Sequence, residues 1–327
     1  MDSYRIQLVN EQGEAVYVLL DAAHEAEAQI VPAIGNNAFR FTVSGQSLLL
    51  PPPDLGALAA SPTRYGIPFL FPPNRIREGR FSFQGRSYEL PPNSDGHYIH
   101  GELTRRPWKV VDYGASEEEG AFIACQFDFA DHPDIMAAFP HPLSFLMTYR
   151  LWNGRLILEG LVKNEGAEAA PFALGFHPYF QLGEELAEHT VIVPSINEWP
   201  VQNLFVASLP EETSFSRSYP DGVVFPDIPA EGYQLLQMNN GTNRSEIKFP
   251  GKNAAIVYET DAVFPYMVVF KPSWGAAVSL EPYSCVTDCF NLPWAAELTG
   301  ARAVEPGQAV SFQCSVYWEK TYSRFML

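Results

Sequence analysis

The chain has 327 residues, of which 46% are hydrophobic and 18% are charged. This composition supplies enough apolar material for a large core and too little charge for a disordered protein. The 38 acidic residues outnumber the 21 basic residues, and the formal net charge is −17. Because this balance disfavours nonspecific binding to nucleic acid or to an anionic membrane surface, a neutral or cationic small ligand is expected.

The first twenty residues, MDSYRIQLVNEQGEAVYVLL, lack the basic flank, apolar segment and small-residue cleavage site of a secretory signal. No later run approaches the roughly 20 apolar residues of a membrane span, so we expect a cytoplasmic protein. The cysteines are too few and too scattered for a disulfide framework, and no C-x-x-C pair is present. We therefore expect reduced packing residues at Cys125, Cys285, Cys289 and Cys314.

Short runs of β-forming residues recur along the chain, and most are bounded by Gly, Pro, Asn or Asp. In chain order they are FRFTVSG, FIACQFDF, LSFLMTYRLW, RLILEGLVKN, HTVIVPS, AAIVYE, YMVVFKP, AAVSLEP and AVSFQCSVYWEK. Asn153-Gly154 separates two of these runs and predicts a tight antiparallel hairpin. The acidic stretch 116–120 predicts a second, solvated hairpin tip.

Helical periodicity is scarce, and only ALAASP and DIMAAF are compatible with a turn or two of helix. The 28 prolines predict long, stiff loops of the kind that carry functional sites. We find no internal repeat and no linker-like change of composition. The sequence therefore predicts an all-β protein, a large antiparallel β-sandwich that forms a single domain over residues 1–327.

One histidine, His177, lies within the almost wholly apolar and aromatic run APFALGFHPYFQLGEE. An imidazole in such a setting needs a partner for each ring nitrogen, since unsatisfied polar atoms are costly when buried. One reading is a core histidine that bonds to the backbone. The other is an acid or base whose pKa the apolar surroundings have shifted.

Two loop segments earlier in the chain carry further candidates. In FPPNRIREGRF, Arg75 follows a double proline, so a stiff loop aims its donors, although an ordinary surface arginine is the simpler reading. In SDGHYIHGE, His97 and His100 are three residues apart at a turn that enters a strand, so they face opposite sides. We expect His100 to form hydrogen bonds, and we expect no metal site.

The run AAVSLEPYS alternates as a strand does. Val278 and Leu280 share one face, Ser279 and Glu281 share the other, and Pro282 is expected to end the strand. Glu281 then stands at a strand end, where an ordinary exposed glutamate is the competing reading.

Three aromatic residues follow Glu281 closely, namely Tyr283, Phe290 and Trp294. A carboxylate among aromatic rings is a common arrangement around a sugar, whose C–H faces pack on the rings. Asp288 is a candidate second carboxylate for glycosidase-type chemistry, which depends on a separation that the sequence does not supply.

These segments, in this order, resemble the aldose 1-epimerase (galactose mutarotase-like) family. The family pattern is matched by NRIREGRFSFQGRSYEL, NSDGHYIHGE, HPYFQL and EPYSCVTDCFNL, and the similarity runs from about Ile34 to the C-terminus. Two departures are visible: IHGE stands where a double glycine commonly follows the histidine, and HPYF stands in place of the HTYFNL type.

The resemblance implies a galactose-mutarotase-type β-sandwich with a sugar in an open cleft and no cofactor. The family's general acid falls on His177, its general base on Glu281, and its sugar-hydroxyl contacts on Arg75 and His100. The family also uses an aspartate from a later loop, which matches Asp221. Asp227 is the other candidate for that aspartate.

The expected activity is therefore the interconversion of α and β anomers of a free aldose by a monomer or homodimer. A base takes the proton of the C1 hydroxyl while an acid protonates the ring oxygen. Three alternatives remain: a non-catalytic sugar-binding protein, a carbohydrate lyase or hydrolase, and a mutarotase of hexose phosphates. The last would clamp the phosphate with arginines, for which the candidates are Arg64, Arg77, Arg105 and Arg106.

Overall fold

The computed structural model describes residues 3–230, 232–239 and 243–321. The strands in chain order are β1 (Tyr4–Glu11), β2 (Glu14–Asp21), β3 (Ala26–Val31), β4 (Asn37–Val43), β5 (Gln46–Ser47), β6 (Phe69–Leu70), β7 (Arg75–Ile76), β8 (Arg80–Phe83), β9 (Arg86–Glu89), β10 (Tyr98–Ile99), β11 (Lys109–Ser116), β12 (Gly120–Asp128), β13 (Leu143–Trp152), β14 (Arg155–Asn164), β15 (Ala170–Phe172), β16 (Gly175–Phe176), β17 (Tyr179–Gln181), β18 (Thr190–Ile192), β19 (Ser195–Trp199), β20 (Val201–Gln202), β21 (Phe205–Val206), β22 (Val223–Val224), β23 (Gln234–Met238), β24 (Arg244–Phe249), β25 (Ala254–Thr260), β26 (Tyr266–Phe270), β27 (Ala277–Tyr283), β28 (Arg302–Val304) and β29 (Ala309–Lys320).

The α-helices in the described residues are short: α1 (Leu55–Ala60), α2 (Pro133–Ala138), α3 (Ser214–Ser218) and α4 (Ala296–Thr299). The first two fall on ALAASP and DIMAAF, so both predicted turns of helix are confirmed. In the part of the chain that the structure describes, no helix has the length and apolarity needed to cross a membrane.

Three sheets organise the chain, and their strands pair antiparallel. A nine-stranded sheet has the order β11-β12-β13-β14-β29-β25-β24-β18-β22. A seven-stranded sheet has the order β19-β23-β26-β27-β16-β6, with β17 also paired to β27, and a five-stranded sheet runs from β1 to β5 in sequence order. Both predicted hairpins are confirmed, because β13 pairs with β14 across Asn153-Gly154 and β11 pairs with β12 across residues 116–120.

The nine-stranded and seven-stranded sheets pack face to face through aromatic side chains. Phe69 of β6 contacts Phe145 of β13 and Phe312 of β29, with ring centroids 5.9 and 6.1 Å apart. Phe180 of β17 contacts Tyr258 of β25 at 5.5 Å. Sheet-on-sheet burial of this kind defines a sandwich, so the predicted all-β sandwich class is confirmed. The four cysteines are free and buried, as expected.

β27 differs from the prediction at its end. The strand does not stop at Pro282 but continues to Tyr283, and Pro282 pairs with Met267 of β26. On its other side β27 pairs first with β17 and then with β16, and the two are separated by residues 177–178. Because this side of the ladder is already interrupted, a residue without a backbone N–H is accommodated there.

Candidate active site

His177 and Glu281 face each other because of the register around β27. Tyr179 pairs with Ser279 and Gly175 pairs with Tyr283, so His177, in the gap between β16 and β17, lies opposite Glu281. The two side chains stand on the face of the seven-stranded sheet that is turned away from the sandwich core. Alternation along β27 sends Leu280 into that core.

A cavity of about 740 Å³ opens over this face of the sheet. Its lining combines hydrogen-bonding and aromatic side chains, which is typical of sites that bind small polar ligands. The lining side chains used below are Arg64, Asn74, Arg75, His100, Arg105, His177, Tyr179, Tyr233, Phe270, Trp274 and Glu281.

The central pair is close and buried. His177 Nε2 lies 3.3 Å from Glu281 Oε1, and the two residues are 7% and 2% exposed. Burial raises the pKa of Glu281 to about 8 and lowers the pKa of His177 to about 3, since removal from water disfavours the charged form of each group. Between these values the pair holds one proton in total.

Ser279 determines which ring nitrogen of His177 faces Glu281. The Ser279 hydroxyl donates to the carbonyl oxygen of Pro178 at 2.8 Å, so its oxygen is free to accept from His177 Nδ1 at 3.0 Å. Neutral His177 therefore carries its proton on Nδ1 and presents the Nε2 lone pair to Glu281. The shared proton of the pair lies between Nε2 and the carboxyl group.

Tyr283 holds the second oxygen of the carboxyl group. Its hydroxyl donates to Glu281 Oε2 through a short hydrogen bond. The Tyr283 ring packs against Gly175, where any Cβ would collide with it, so the absence of a side chain at Gly175 allows this contact. Glu281 is thus fixed on one side by a tyrosine and faces His177 on the other.

Arg75 and His100 come together through the two-stranded sheet of β7 and β10. Ile99 pairs with Arg75, and the backbone N–H of His100 donates to the carbonyl of Asn74 at 3.0 Å. The His100 ring lies 5.2 Å from the His177 ring. Burial, followed by the nearby His177 and Arg75, holds the pKa of His100 well below its usual value, so this imidazole is neutral.

The residue after His100 is a glycine for a steric reason. Gly101 has a φ of +68° and lies against the backbone of Phe71, so that a Cβ at this position would overlap the Phe71 carbonyl oxygen. The turn that carries His100 is thereby held against the segment that leads to Arg75. Any larger residue would push the two apart.

The structure separates Asp221 and Asp227 from this cavity, so the predicted contact of either aspartate with the sugar is not carried forward. Both are exposed, and among the described residues neither lines the cavity. The physical reason is the path of the chain, because β22, which lies between them, is the edge strand of the nine-stranded sheet, paired with β18. The cavity lies on the other sheet of the sandwich.

Asp288 does not line the cavity with Glu281. It accepts from the backbone N–H of Arg77 at 3.1 Å and from Asn291 Nδ2 at 2.7 Å, which makes it a support for the loop after β7. His97 likewise has a structural partner, since its Nδ1 accepts from the backbone N–H of Glu78 at 3.0 Å.

The aromatic lining comes from residues that sequence reasoning did not select. Phe290 packs on Phe81 and Trp294 packs on Trp199, and neither ring lines the cavity. The rings that line the cavity belong to Tyr179, Tyr233, Phe270 and Trp274. The position of Tyr179 two residues after His177 was a usable signal, since i and i+2 share a face of a strand.

Comparison with known proteins agrees with this architecture. A family model described as aldose 1-epimerase matches residues 18–317. An uncharacterized Escherichia coli K12 protein, YphB, is 27% identical over 266 residues, which cover 76% of this chain and 81% of the relative. Mouse galactose mutarotase is 29% identical over 137 residues, covering 41% of this chain and 38% of the mouse protein.

Solved structures show the same fold. A galactose mutarotase-like protein from Clostridium acetobutylicum superposes with a TM-score of 0.90 at 23% identity, covering 97% of this chain and 99% of that one. Galactose 1-epimerase from Lactobacillus acidophilus superposes with a TM-score of 0.81 at 13% identity, covering 98% and 100%. Because the family model matches most of the length of this chain, the chain belongs to the aldose 1-epimerase family.

Proposed function

We propose that the protein is a mutarotase that interconverts the α and β anomers of an aldose, with Glu281 as general base and His177 as general acid. The observation that carries this proposal is the buried His177–Glu281 pair, whose Nε2 and Oε1 atoms lie 3.3 Å apart at the cavity. A site that only binds sugar does not need a buried imidazole and carboxyl group in contact with each other.

The chemistry follows from the single shared proton. Ring opening requires a base to take the proton of the C1 hydroxyl and an acid to protonate the ring oxygen. In the free protein this proton lies on Glu281, because its pKa is raised and that of His177 is lowered. Ring opening requires the form in which the proton has moved to His177 Nε2, so that Glu281 is the base and His177 is the acid. After the aldehyde rotates, reclosure passes both protons back, so the pair returns to its starting state and no cofactor is consumed.

Arg75 and His100 supply the groups that would position the sugar. Arg75 Nε and His100 Nδ1 are buried and have no hydrogen-bond partner among the described residues. Buried polar atoms normally have partners, and sugar hydroxyls in the cavity would provide them. Their assigned role is to hold the ring so that both proton transfers occur in one geometry.

The test is anomer exchange measured by NMR across a panel of aldoses. Glu281→Gln removes the basic electron pair, and His177→Asn removes the proton donor, while both keep polar side chains of similar size. Each is expected to lower the enzyme-dependent exchange rate by roughly 10²- to 10⁴-fold. Sugar affinity should change much less than rate, because the loss falls on the transition state.

Arg75→Ala is the comparison variant, since a residue that holds hydroxyls in both ground and transition states raises KM as well as lowering kcat. Circular dichroism spectra of the variants would be compared with that of the wild type to check that each variant is folded. Near-normal exchange rates in both the Glu281→Gln and the His177→Asn proteins would refute the mechanism. Intact sugar binding in those two proteins would then identify a sugar-binding protein without catalysis.

A further inference from the structure

The charge of the cavity is opposite to that of the whole molecule. The chain has a net charge of −17, yet three arginines, Arg64, Arg75 and Arg105, line the cavity. Glu281 is the single acidic residue among the described residues that line the cavity. Its raised pKa keeps it protonated at neutral pH when no ligand is bound. The local field in the cavity is therefore positive.

These arginines also lack the partners that most arginines of this chain have. Arginines that lie within 4.0 Å of a carboxylate oxygen are Arg40, Arg77, Arg80, Arg86, Arg106, Arg150, Arg155, Arg217 and Arg244. By the same measure Arg64, Arg75 and Arg105 have no acidic partner in the described part of the chain, and Arg5 and Arg302 share this property outside the cavity. Among the described residues, no carboxylate oxygen therefore lies within ion-pair distance of a cavity arginine.

Arg64 and Arg105, called the rim arginines below, are exposed. The residues that follow them in the chain are both hydrogen-bonded to the segment 35–37. The backbone N–H of Gly35 donates to the carbonyl of Arg106 at 3.0 Å, and Asn37 Nδ2 donates to the carbonyl of Tyr65 at 3.0 Å. Tyr65 and Arg106, the next residues after the rim arginines, are therefore anchored to the same short segment of the chain. The guanidinium of Arg64 is also held 5.4 Å from the ring centroid of Trp274.

We propose that the substrate is an aldose that carries an anionic group on a carbon remote from C1, and that the rim arginines bind this group. The inference rests on the proposed function, because the buried pair places C1 and the ring oxygen at the floor of the cavity. The exocyclic C6, which projects outward from C5 beside the ring oxygen, is then the carbon whose substituent would extend to the exposed rim. A phosphate, sulfate or carboxylate there would accept paired hydrogen bonds from guanidinium groups.

This proposal replaces the expectation of an uncharged substrate, which rested on net charge. The 740 Å³ cavity leaves space beyond a bare sugar ring for such a substituent. Arg77 and Arg106, the other two arginines considered from sequence, do not contribute, since Asp288 neutralises one and Asp134 the other. Local arrangement, rather than the total charge, sets the preference.

The first test compares glucose with glucose 6-phosphate, glucose 6-sulfate and glucuronate, and galactose with galactose 6-phosphate. Exchange rates are measured above the spontaneous rate of each sugar. We expect kcat/KM to be at least roughly 10-fold higher for one of the anionic sugars than for its neutral parent. The order among phosphate, sulfate and carboxylate identifies the anion. Equal or faster turnover of the neutral sugars would overturn the proposal.

The second test removes the rim charges. Arg64→Ala and Arg105→Ala should each lower kcat/KM for the preferred anionic sugar by roughly 10-fold, mainly through KM, and leave the neutral sugar within about 3-fold. Arg5→Ala is the matched control, because it removes the same charge from an exposed arginine outside the cavity. An equal loss for charged and neutral sugars, or an equal loss in the Arg5→Ala protein, would contradict the assigned anion contact.

The two proposals fail in different ways. If Glu281→Gln and His177→Asn abolish exchange while neutral sugars are preferred, the mutarotase mechanism stands and the anionic substrate is excluded. If those two variants keep wild-type exchange with every sugar, the mechanism itself is excluded, whatever the rim variants do.

Discussion

At the scale of single residues, burial keeps the carboxyl group of Glu281 protonated over a pH range in which a glutamate in water is ionised. Burial raises its pKa from the ordinary 4.5 to about 8, so the folded protein keeps a proton on this carboxyl group after the unfolded chain has released it. Folded molecules thus bind more protons than unfolded ones between these two pH values. The contribution of Glu281 to stability is therefore complete below about pH 4.5 and declines as the pH rises toward 8.

This linkage predicts that Glu281→Gln stabilises the protein at the upper end of that range. A glutamine keeps an oxygen that accepts from the Tyr283 hydroxyl, and it cannot ionise. The stability that the wild type loses through ionisation of Glu281 as the pH rises is therefore not lost in the variant. The free energy of unfolding of the variant minus that of the wild type should increase between pH 5 and pH 8, by up to about 1.4 kcal/mol for each pH unit. Denaturant unfolding of both proteins at several pH values measures this difference in the free energy of unfolding.

Glu118→Gln is the matched control, since Glu118 lies exposed in the hairpin tip at residues 116–120. The same difference in unfolding free energy for this variant should be flat over the pH range. A flat profile for Glu281→Gln as well would show that Glu281 is ionised in the folded protein at neutral pH.

Single residues also show what sequence reasoning misses at a site. His177 and Glu281 were selected from local context and from the family resemblance. Ser279 was placed on the face of Glu281 by alternation, but its hydrogen bond to His177 Nδ1 depends on the pairing of β17 with β27. Trp274 was not selected, because its place at the cavity follows from the fold and not from any motif around it.

At the scale of elements, the loop that carries Gly101 predicts a steric sensitivity. In Gly101→Ala the new Cβ overlaps the Phe71 carbonyl oxygen, so β7 and β10 must separate and His100 must move from Arg75. Gly96→Ala is the control, because Gly96 also has positive φ, +78°, but nothing lies within 4 Å of its Cβ position.

Both substitutions share the cost of placing alanine in the left-handed region, roughly 1–2 kcal/mol. Gly101→Ala should cost roughly 1–3 kcal/mol more from overpacking. Denaturant unfolding gives this difference, and anomer exchange should fall in the Gly101→Ala protein alone. Equal stability and equal exchange rates in the two variants would show that the contact with Phe71 does not position the site.

The elements also mark the limit of prediction from sequence. The hairpins at residues 153–154 and 116–120 were predictable because a turn and its flanking strands are neighbours in the chain. The continuation of β27 through Pro282 was not, since it depends on the gap between two strands about a hundred residues earlier. Local residues specify a strand, whereas long-range pairing decides where it ends.

At the scale of the whole molecule, the buried apolar residues join all three large sheets. One continuous cluster contains Leu19 from the five-stranded sheet, Phe145 from the nine-stranded sheet and Met267 from the seven-stranded sheet. Because no boundary divides this cluster, we expect the predicted single domain to unfold in one cooperative step.

In urea, the far-ultraviolet circular dichroism and the tryptophan fluorescence should give superimposable transitions. Trp108 packs on Phe145 in the shared cluster, while Trp199 packs on Tyr266 in a neighbouring one, so fluorescence reports on two regions. Two separated midpoints would show that part of the sandwich unfolds independently.

At the scale of the whole molecule, net charge and the lining of the cavity lead to different predictions of the substrate. A sum over 327 residues is dominated by surface side chains, whereas binding depends on the few that line one cavity. The sequence identified Arg64 and Arg105 as candidates for an anion site. It did not show that they lie at the same cavity or that they lack carboxylate partners.

The alternation along β27 makes the assembly of the site inseparable from correct folding. A core residue and a residue of the candidate active site occupy successive positions of this strand, since Leu280 faces the sandwich interior and Glu281 faces the cavity. A slip of one residue would exchange the two faces, placing a carboxylate in the apolar interior and a leucine opposite His177. Under the proposed mechanism such a molecule would be completely inactive. The specific activity recovered in a refolding experiment would then measure the fraction of molecules in which this strand has the correct register.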